Sequence, residues 1–504
     1  MRNRERFLPG MNHILCGRPP KTSLAQMEEK LRSYRESSLS ELMSVFGAWI
    51  PFKRLEPKAK KAHSRQRDYS LAVTFWAFLW QVLTPRTPCR EVVRKVQSFC
   101  SELKLKIPSS SNVAYCKARG RLDIEDIDAV RKSILDRVLA GVHREQRWLG
   151  HDVKVVDGTG IKLADTPENQ AQWPQPGEQR PGCGFPVMQV VGCFCLASGA
   201  IIDWVETALK SHECRIFRRM LSLFKESDVV LGDRGFCSYA NLSLLVERGA
   251  HAVMRAHQMR KLDYRKGKRL GDRDRLITWK RPAARGAGWS RDDWNALPEQ
   301  ITMRIVRIKV EIDGFRVHQY DLVTTLTDAD IYTQDHLAEL YFRRWSVELY
   351  FRHWSVELYF RQIKTTMGME KLRCKTPEMV RKELRMHLIA YNLIRGLMQE
   401  ASVQESTRLD RISFKGAVDT LRQFGTALNA SKGRPQTQQR IIEEMLTIIG
   451  RETVRERKNR SEPRALKERP KPYPRLTSHR SKYVVPKSRR GKGASKKKTS
   501  VSAP

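Results

Sequence analysis

The sequence predicts an α/β protein whose mixed sheet, with flanking helices, is preceded by an all-helical domain, interrupted by a β insertion and followed by a basic tail. Apolar residues recur at helical spacing before residue 150, and β-branched runs separated by Gly and Pro begin at Asp152. Strand and helix patterns then alternate, which is typical of a mixed α/β sheet.

The helical domain is predicted over residues 37–150, behind an N-terminal arm at 1–36. Its most apolar run, Leu71 to Leu83, is shorter than the roughly 20 residues that a membrane helix needs. We therefore expect a buried helix there.

A possible DNA-binding motif lies later in this domain. The cluster Ser109 to Ser111 is expected to cap a helix that carries Arg119 and Arg121 and follows a segment opening at Pro88. Two short helices with a basic second member fit a helix-turn-helix, but such pairs also occur as plain packing units in helical bundles.

The first part of the sheet is predicted over residues 151–256. The strand patterns are DVKVVDGTG, VMQVVGCFCL, GAIIDWVETAL, VVLGDRGF and HAVMRA. Helical patterns at Glu213–Phe224 and Tyr239–Arg248 separate the later strands.

A basic, Gly-punctuated stretch at 257–318 then ends in the alternating run ITMRIVRIKVEI, which predicts a β insertion. The second part of the sheet domain, 319–400, is mostly helical, with Thr376 as a predicted N-cap and Pro377 at the first helical position. A C-terminal helical region follows at 401–450.

The charge balance indicates a nucleic-acid partner. Lys and Arg number 94 against 55 Asp and Glu, a net charge of +39. Residues 451–504 carry 19 Lys and Arg against 4 Asp and Glu, so we expect a disordered tail that binds backbone phosphate without reading sequence. No membrane helix or export signal is apparent, and we expect a cytoplasmic protein whose ten cysteines are reduced core thiols.

Two aspartates stand where apolar strands end. Asp157 occurs in VKVVDGTG and Asp233 in VVLGDRGF. Each alone suits a turn, where an aspartate hydrogen-bonds its own backbone. Together with a third acid, they would suit two divalent cations about 3.5–4 Å apart, the arrangement that moves a phosphodiester in line.

Longer motifs make the chemistry specific. They are VVDGT, PENQAQWPQPGEQRPGCGFP, LGDRGF, YFRRWSVELYFRHWSVELYFRQIKTTMGMEKLR and TPEMVRKELRMHLIAYNLIR. With these motifs in order, the chain resembles, over roughly residues 70 to 475, the DDE transposases of the insertion-sequence-four family.

The resemblance implies an RNase H-like catalytic domain that cleaves DNA and transfers strands at the terminal inverted repeats of an insertion sequence. Asp157 and Asp233 would be ligands of two Mg²⁺ ions, for which Mn²⁺ can substitute. The implied partners are double-stranded DNA, as element ends and target, and a second copy of the chain in a homodimer. The helical domain would bind the element ends, and the protein would associate with the prokaryotic nucleoid.

The family's third acid belongs to the signature Tyr-x2-Arg-x3-Glu-x6-Lys, which this sequence disrupts. The block WSVELYFR occurs twice, at 345–352 and 354–361. The first copy gives Tyr341, Arg344 and Glu348 but has Ser355 where Lys belongs. The second gives Tyr350, Glu357 and Lys364 but has His353 where Arg belongs.

The nine-residue offset has a geometric consequence, because nine residues turn an α-helix by about 900° and advance it by about 13.5 Å. Glu348 and Glu357 would point to opposite faces of one unbroken helix, so only one can meet the two aspartates. We favour Glu357, which keeps the family spacing to Lys364, with Glu348 as the alternative. Either nine residues bulge out or the enzyme is impaired.

Other side chains are candidate DNA contacts. Arg344 and Lys364 suit phosphates flanking the cut, since a guanidinium offers a bidentate fork and a lysine a point charge. Arg234 would touch the same phosphate or tie down its own turn. Trp289 and Trp294 would stack on a base flipped from the DNA end, or pack in a core. The predicted DNA-binding set is completed by Tyr341, Tyr350, Arg119 and Arg121.

The sequence thus predicts a metal-dependent transposase that needs no protein nucleophile, because metal-activated water attacks the phosphodiester. Two alternatives remain open. One is an RNase H-like nuclease that cuts without strand transfer. The other is a transposase-derived DNA-binding protein whose catalysis the repeat has silenced.

Overall fold

The computed structural model describes residues 40–51, 55, 68–102, 106–209, 213–257, 260, 262–286, 288–310, 318–351, 359–431, 433–454 and 482. The predicted N-terminal arm and almost all of the predicted disordered tail lie outside these residues. Within helices and strands, the side chains at 40, 41, 102, 213–215, 310, 318, 342 and 344–351 are also outside the description.

In the described part of the chain, five α-helices precede the sheet. They are α1 (Ser40–Phe46), α2 (Leu71–Leu83), α3 (Cys89–Glu102), α4 (Val113–Gly120) and α5 (Ile124–Ala140). The predicted apolar helix is α2, and it is buried along most of its length. The N-cap of α4 is Asn112 and not the predicted serine cluster, although Ser111 accepts a hydrogen bond from the Val113 amide at 3.3 Å. Arg121 lies just beyond the end of that helix as its C-cap.

The sheet has nine strands. They are β1 (Val153–Lys162), β2 (Val187–Cys195), β3 (Ile201–Ala208), β4 (Val229–Gly232), β5 (His251–Arg255), β6 (Lys268–Gly271), β7 (Asp274–Lys280), β8 (Gln300–Val310) and β9 (His318–Thr324). Their order is β3-β2-β1-β4-β5-β9-β8-β7-β6.

Strand direction divides this sheet. The strand β2 runs antiparallel to both β1 and β3, and β4 and β5 then run parallel to β1. The strands β6 to β9 are antiparallel and join the sheet through β9 against β5. The predicted β insertion is therefore an extension of the same sheet.

Eight further helices of the described chain cover the sheet or continue beyond it. They are α6 (Pro167–Gln172), α7 (Glu213–Arg218), α8 (Tyr239–Glu247), α9 (Arg291–Ala296), α10 (Gln334–Phe351), α11 (Pro377–Gln404), α12 (Phe414–Ala430) and α13 (Pro435–Arg451). The helix predicted over Glu213–Phe224 is shorter than expected, because α7 ends at Arg218 and a 3-10 turn, Leu221–Leu223, follows. Among the described residues, no helix is both long and apolar enough to cross a bilayer.

Each face of the sheet belongs to a different core, because successive strand residues point to opposite faces. Val155 and Leu231 pack with α11 and with the N-terminal helices in one continuous cluster. Val156 and Val230 pack on the other face with α7, α8 and part of the insertion. The N-terminal helices thus share their core with one face of the sheet.

Candidate active site

The two sequence-predicted aspartates lie side by side on neighbouring strands. Asp157 lies within β1, which continues to Lys162, and Asp233 directly follows the end of β4. The strands β1 and β4 are parallel, with Val156 paired to Gly232, so Asp157 and Asp233 follow at equivalent positions. Neighbouring strands are about 4.8 Å apart, which brings the two residues next to each other. Both are half-buried.

The pairing of β1 with β4 ends just before the two aspartates, but β1 continues beside β2 to Lys162, so the prediction that Asp157 ends a strand is wrong. Gly158 donates its amide to Asp157 Oδ1 at 2.9 Å, and the amide of Phe236 donates to the Asp233 carbonyl at 2.9 Å. Asp233 therefore opens a turn through its backbone carbonyl. That role does not conflict with a metal role, because the turn uses the backbone carbonyl.

The two aspartates share one face of the sheet. Asp157 lies two residues after Val155, and Asp233 lies two residues after Leu231, so each shares the face of that core residue. Val155 and Leu231 pack in the same cluster as Phe360 and Ile363. The end of the repeat and the residues that follow it are therefore on the side of the sheet that carries the two acids.

Two contacts locate this segment beside Asp157. Gly192 is the cross-strand partner of Asp157, and a Cβ built on it would lie 3.3 Å from Cζ of Phe360. Lys364 Nζ donates to Thr159 Oγ1 at 3.2 Å, and Thr159 lies two residues beyond Asp157 in β1. Lys364 is thus held beside the carboxylates.

A π-helical turn, Gln362–Thr366, carries Lys364, and such turns are frequent at functional sites. The chain then runs alongside the end of β1, where the Lys162 amide donates to the Glu370 carbonyl at 3.2 Å. The amide of Leu372 donates back to the Lys162 carbonyl at 3.0 Å. These bonds fix the π turn to the strand that bears Asp157.

The third acid cannot be assigned from these contacts. Glu348 is in α10, together with Arg344 and Tyr350, but the side chains of all three are outside the description. Glu357 and His353 lie outside the described residues. Among the described side chains, no group of three or more His, Cys, Asp and Glu residues could hold a metal ion. The choice between the two glutamates stays a prediction.

Two predicted DNA contacts are buried instead. Tyr341 is 1% exposed, and its ring packs 6.3 Å from that of Tyr320. Arg119 is 9% exposed, with its guanidinium 4.9 Å from the centre of the Phe78 ring. Neither side chain has an open surface in this structure, and a DNA contact by either residue stays a prediction. The sequence motifs that suggested these residues gave no sign that the two positions face a core.

The other predicted contacts differ in exposure. Arg121 and Arg234 are exposed, although Arg121 Nη2 also donates to the Tyr69 carbonyl at 2.9 Å. Trp294 is 7% exposed and donates Nε1–H to the Pro282 carbonyl at 3.2 Å, so core packing is its role. Trp289 is partly exposed, and the Arg218 guanidinium covers it at 4.3 Å.

Sequence reasoning missed Thr159 and Gly192. Thr159 follows Asp157 by two residues, so the strand period could have placed both on one face. Gly192 gave no such signal, because its role depends on which strand pairs with β1.

Comparison with known proteins shows similarity to transposases. The family model of the transposase DDE domain matches residues 148–354 and 348–393, and the two matches overlap inside the repeat. The transposase InsG of insertion sequence element IS4 from Escherichia coli strain K12 is 26% identical over 417 residues, covering 81% of this chain and 88% of that protein. The cryo-EM structure of the piggyBac transposase synaptic complex with hairpin DNA covers 83% of this chain and 85% of its own, with a TM-score of 0.38 and 8% identity.

The family match runs through both aspartates and across the repeat to residue 393. The alignment with the IS4 transposase, at 417 residues, is longer than the range matched by the family model and includes helices on either side of that range. This chain accordingly belongs to the DDE transposases of the insertion-sequence-four type.

Proposed function

We propose that the protein cleaves DNA at the terminal inverted repeats of its own element and joins the freed 3′-hydroxyl to target DNA. The observation that carries this proposal is the position of Asp157 and Asp233 on adjacent parallel strands, each directly after the last paired residues, Val156 and Gly232. The strand order β3-β2-β1-β4-β5 supports an RNase H-like core, as the resemblance implies.

The two aspartates fit divalent cations. Carboxylate oxygens are the hard donors that Mg²⁺ prefers. The two carboxylates are half-buried on neighbouring strands, so they can bind the same ion, and water and DNA can supply its remaining ligands. When bound, two Mg²⁺ or Mn²⁺ ions lower the pKa of the attacking water and stabilise charge on the entering and leaving oxygens.

The protein's own side chains would hold the DNA for this reaction. Lys364 lies on the aspartate face beside Thr159, where its ammonium can bind a phosphate next to the cut. Arg234 is exposed directly after Asp233 and can contact the same strand. Arg344 and Tyr350 complete this set as sequence predictions.

Helix geometry supports Glu357 as the third metal ligand. In a helix that continued back from Lys364, seven residues correspond to about 700°, so Glu357 would share the face of Lys364. Glu348 lies sixteen residues before Lys364, about 1600°, and would point nearly the opposite way. Because Lys364 is on the aspartate face, Glu357 is the better candidate.

The proposed partners follow from charge and family. A net charge of +39 suits a protein that holds both element ends and target DNA. We propose that two end-bound copies pair as a homodimer and that the protein works at the nucleoid.

Cleavage of a labelled duplex that carries the terminal repeat tests the ligand assignment. With Mg²⁺, D157N, D233N and E357Q should lose cleavage while retaining duplex binding by gel shift. E348Q is the matched control, since it makes the same change in the same octapeptide, and it should cleave like the parent. Equal loss from both glutamine variants would contradict a single glutamate ligand.

A deletion of residues 346–354 tests whether the repeat silences the enzyme. It joins Tyr341 and Arg344 to Glu357 and Lys364 with the family spacing. An inactive parent with an active deletion variant would establish the silenced alternative and contradict activity of this chain. Addition of supercoiled target DNA distinguishes a transposase from a nuclease that only cuts. Cleaved ends that never join the target would refute strand transfer.

A further inference from the structure

Two cysteines of the helical domain depart from the core-thiol prediction. Cys89 is the first residue of α3, Cys116 lies in α4, and both are only half-buried. The helices α3 and α4 pack against each other, and Gln81 links Cys89 to Tyr115, the residue before Cys116. The two thiols also shift each other's pKa. By contrast, Cys374 and Cys193 are buried, as predicted.

The surroundings of Cys89 favour its thiolate. Gln81 directs its amide Nε2 to Cys89 Sγ at 3.6 Å, and the hydroxyl of Tyr115 holds Gln81 by donating to its Oε1 at 2.9 Å. The buried guanidinium of Arg119 stacks on Tyr115 at 5.3 Å and brings a positive charge to the same pocket. The position at the start of a 14-residue helix adds a favourable dipole.

The two thiols are therefore unequal. The hydrogen bond from Cys116, followed by the charge of Arg119 and the amide of Gln81, holds the pKa of Cys89 well below that of an ordinary thiol. The same hydrogen bond, with burial, raises the pKa of Cys116. One sulfur is poised as a nucleophile and its neighbour as a protonated thiol within reach.

We propose that Cys89 and Cys116 form a peroxide-reactive site that closes to a disulfide between α3 and α4. The Cys89 thiolate attacks one peroxide oxygen, the O–O bond breaks, and hydroxide leaves, which yields a sulfenic acid at Cys89. Cys116 then attacks the Cys89 sulfur, the S–O bond breaks, and water leaves with the thiol proton. Peroxide is the oxidant, and the two sulfurs each lose one electron overall.

The bond would have a structural consequence. It would tie the start of α3 to α4 and consume the thiolate that faces Arg119. Arg119 also contacts Cys374 Sγ at 4.0 Å, and Cys374 lies just before α11. The site thus sits where the helical domain meets the segment that leads into α11.

Peptide mapping of the full chain tests the proposal without DNA. After brief treatment with hydrogen peroxide and quenching with N-ethylmaleimide, we expect a linked peptide pair containing Cys89 and Cys116. C116S should instead accumulate a Cys89 sulfenic acid that dimedone traps, and C89S should leave Cys116 reduced. Buried Cys374 is the internal reference and should stay unmodified.

The pH profile of Cys89 alkylation gives a second, independent readout. Because its pKa is lowered, Cys89 should keep reacting with iodoacetamide at pH values where an ordinary thiol is protonated. Q81L, which removes the amide donor and no charge, should move that profile to higher pH. The proposal is overturned if Cys89 reacts no faster than Cys374, or if peroxide links Cys89 to a second chain instead of Cys116.

Discussion

Replacement of Arg304 by Met should destabilise the protein strongly. Arg304 is 1% exposed in β8, and its Nε and Nη2 donate to the two carboxylate oxygens of Asp274 in β7 at 2.9 and 2.6 Å. Its Nη1 also donates to the Tyr332 carbonyl at 2.5 Å, in the loop before α10. The pair therefore fastens the insertion to the start of the helix that carries Glu348.

The expected loss follows from what remains behind. R304M leaves a buried, uncompensated Asp274, which costs about 3–5 kcal/mol, and it also leaves the Tyr332 carbonyl without this donor, at about 1 kcal/mol. The double variant R304M/D274L removes the stranded charge and should recover about 2–3 kcal/mol of that loss.

Urea unfolding followed by tryptophan fluorescence measures these differences. R307M is the matched control, because Arg307 on the same strand pairs with Asp321 at 2.7 Å while both side chains are about 30% exposed. An exposed pair of this kind contributes at most about 1 kcal/mol. A smaller loss of unfolding free energy in R304M than in R307M would refute a buried, essential pair. A double variant less stable than R304M would refute it too.

Three further predictions concern packing and protonation. Burial lowers the pKa of His387 to about 3 in the folded protein, whereas in the unfolded chain its pKa is about 6.5. Between these pH values only the unfolded state binds the proton. Stability should fall as the pH drops below about 6.5, by about 2 kcal/mol at pH 5, and H387L should flatten this slope in urea titrations. An unchanged slope would contradict a buried neutral histidine. A Cβ at Gly396 would lie 2.2 Å from Trp49, so G396A should lower the melting temperature by several degrees, while G120A, with nothing within 4 Å, should not. Y341F should leave duplex binding unchanged, since Tyr341 is buried; a clear loss of DNA affinity would restore its predicted contact role.

Much of the fold was predictable because its signals are local. The β-branched runs marked β1 to β5, and the alternating run marked β8, since a strand alternates its faces every two residues whatever it pairs with. The end of β4 before Asp233 was visible for the same reason. By contrast, β1 runs past Asp157 to Lys162, because its pairing with β2 continues.

The burial of individual polar side chains was less predictable. Arg119 and Tyr341 look like surface residues in the sequence, yet a guanidinium can stack on aromatic rings and a tyrosine can fill a core. Arg304 and Asp274 look like two more charges of a basic insertion. Only neighbours from distant parts of the chain bury them.

The sequence alone determined the strands, the two acids that follow their apolar runs, the repeat and the excess of positive charge, because each is a property of consecutive residues. The tertiary structure decided that β4 lies beside β1 with Val156 level with Gly232, which is what makes the two aspartates neighbours. It also decided that Lys364 reaches Thr159 across 205 residues of chain. Register and long-range packing arise from the fit of whole faces, and no local pattern specifies which faces meet.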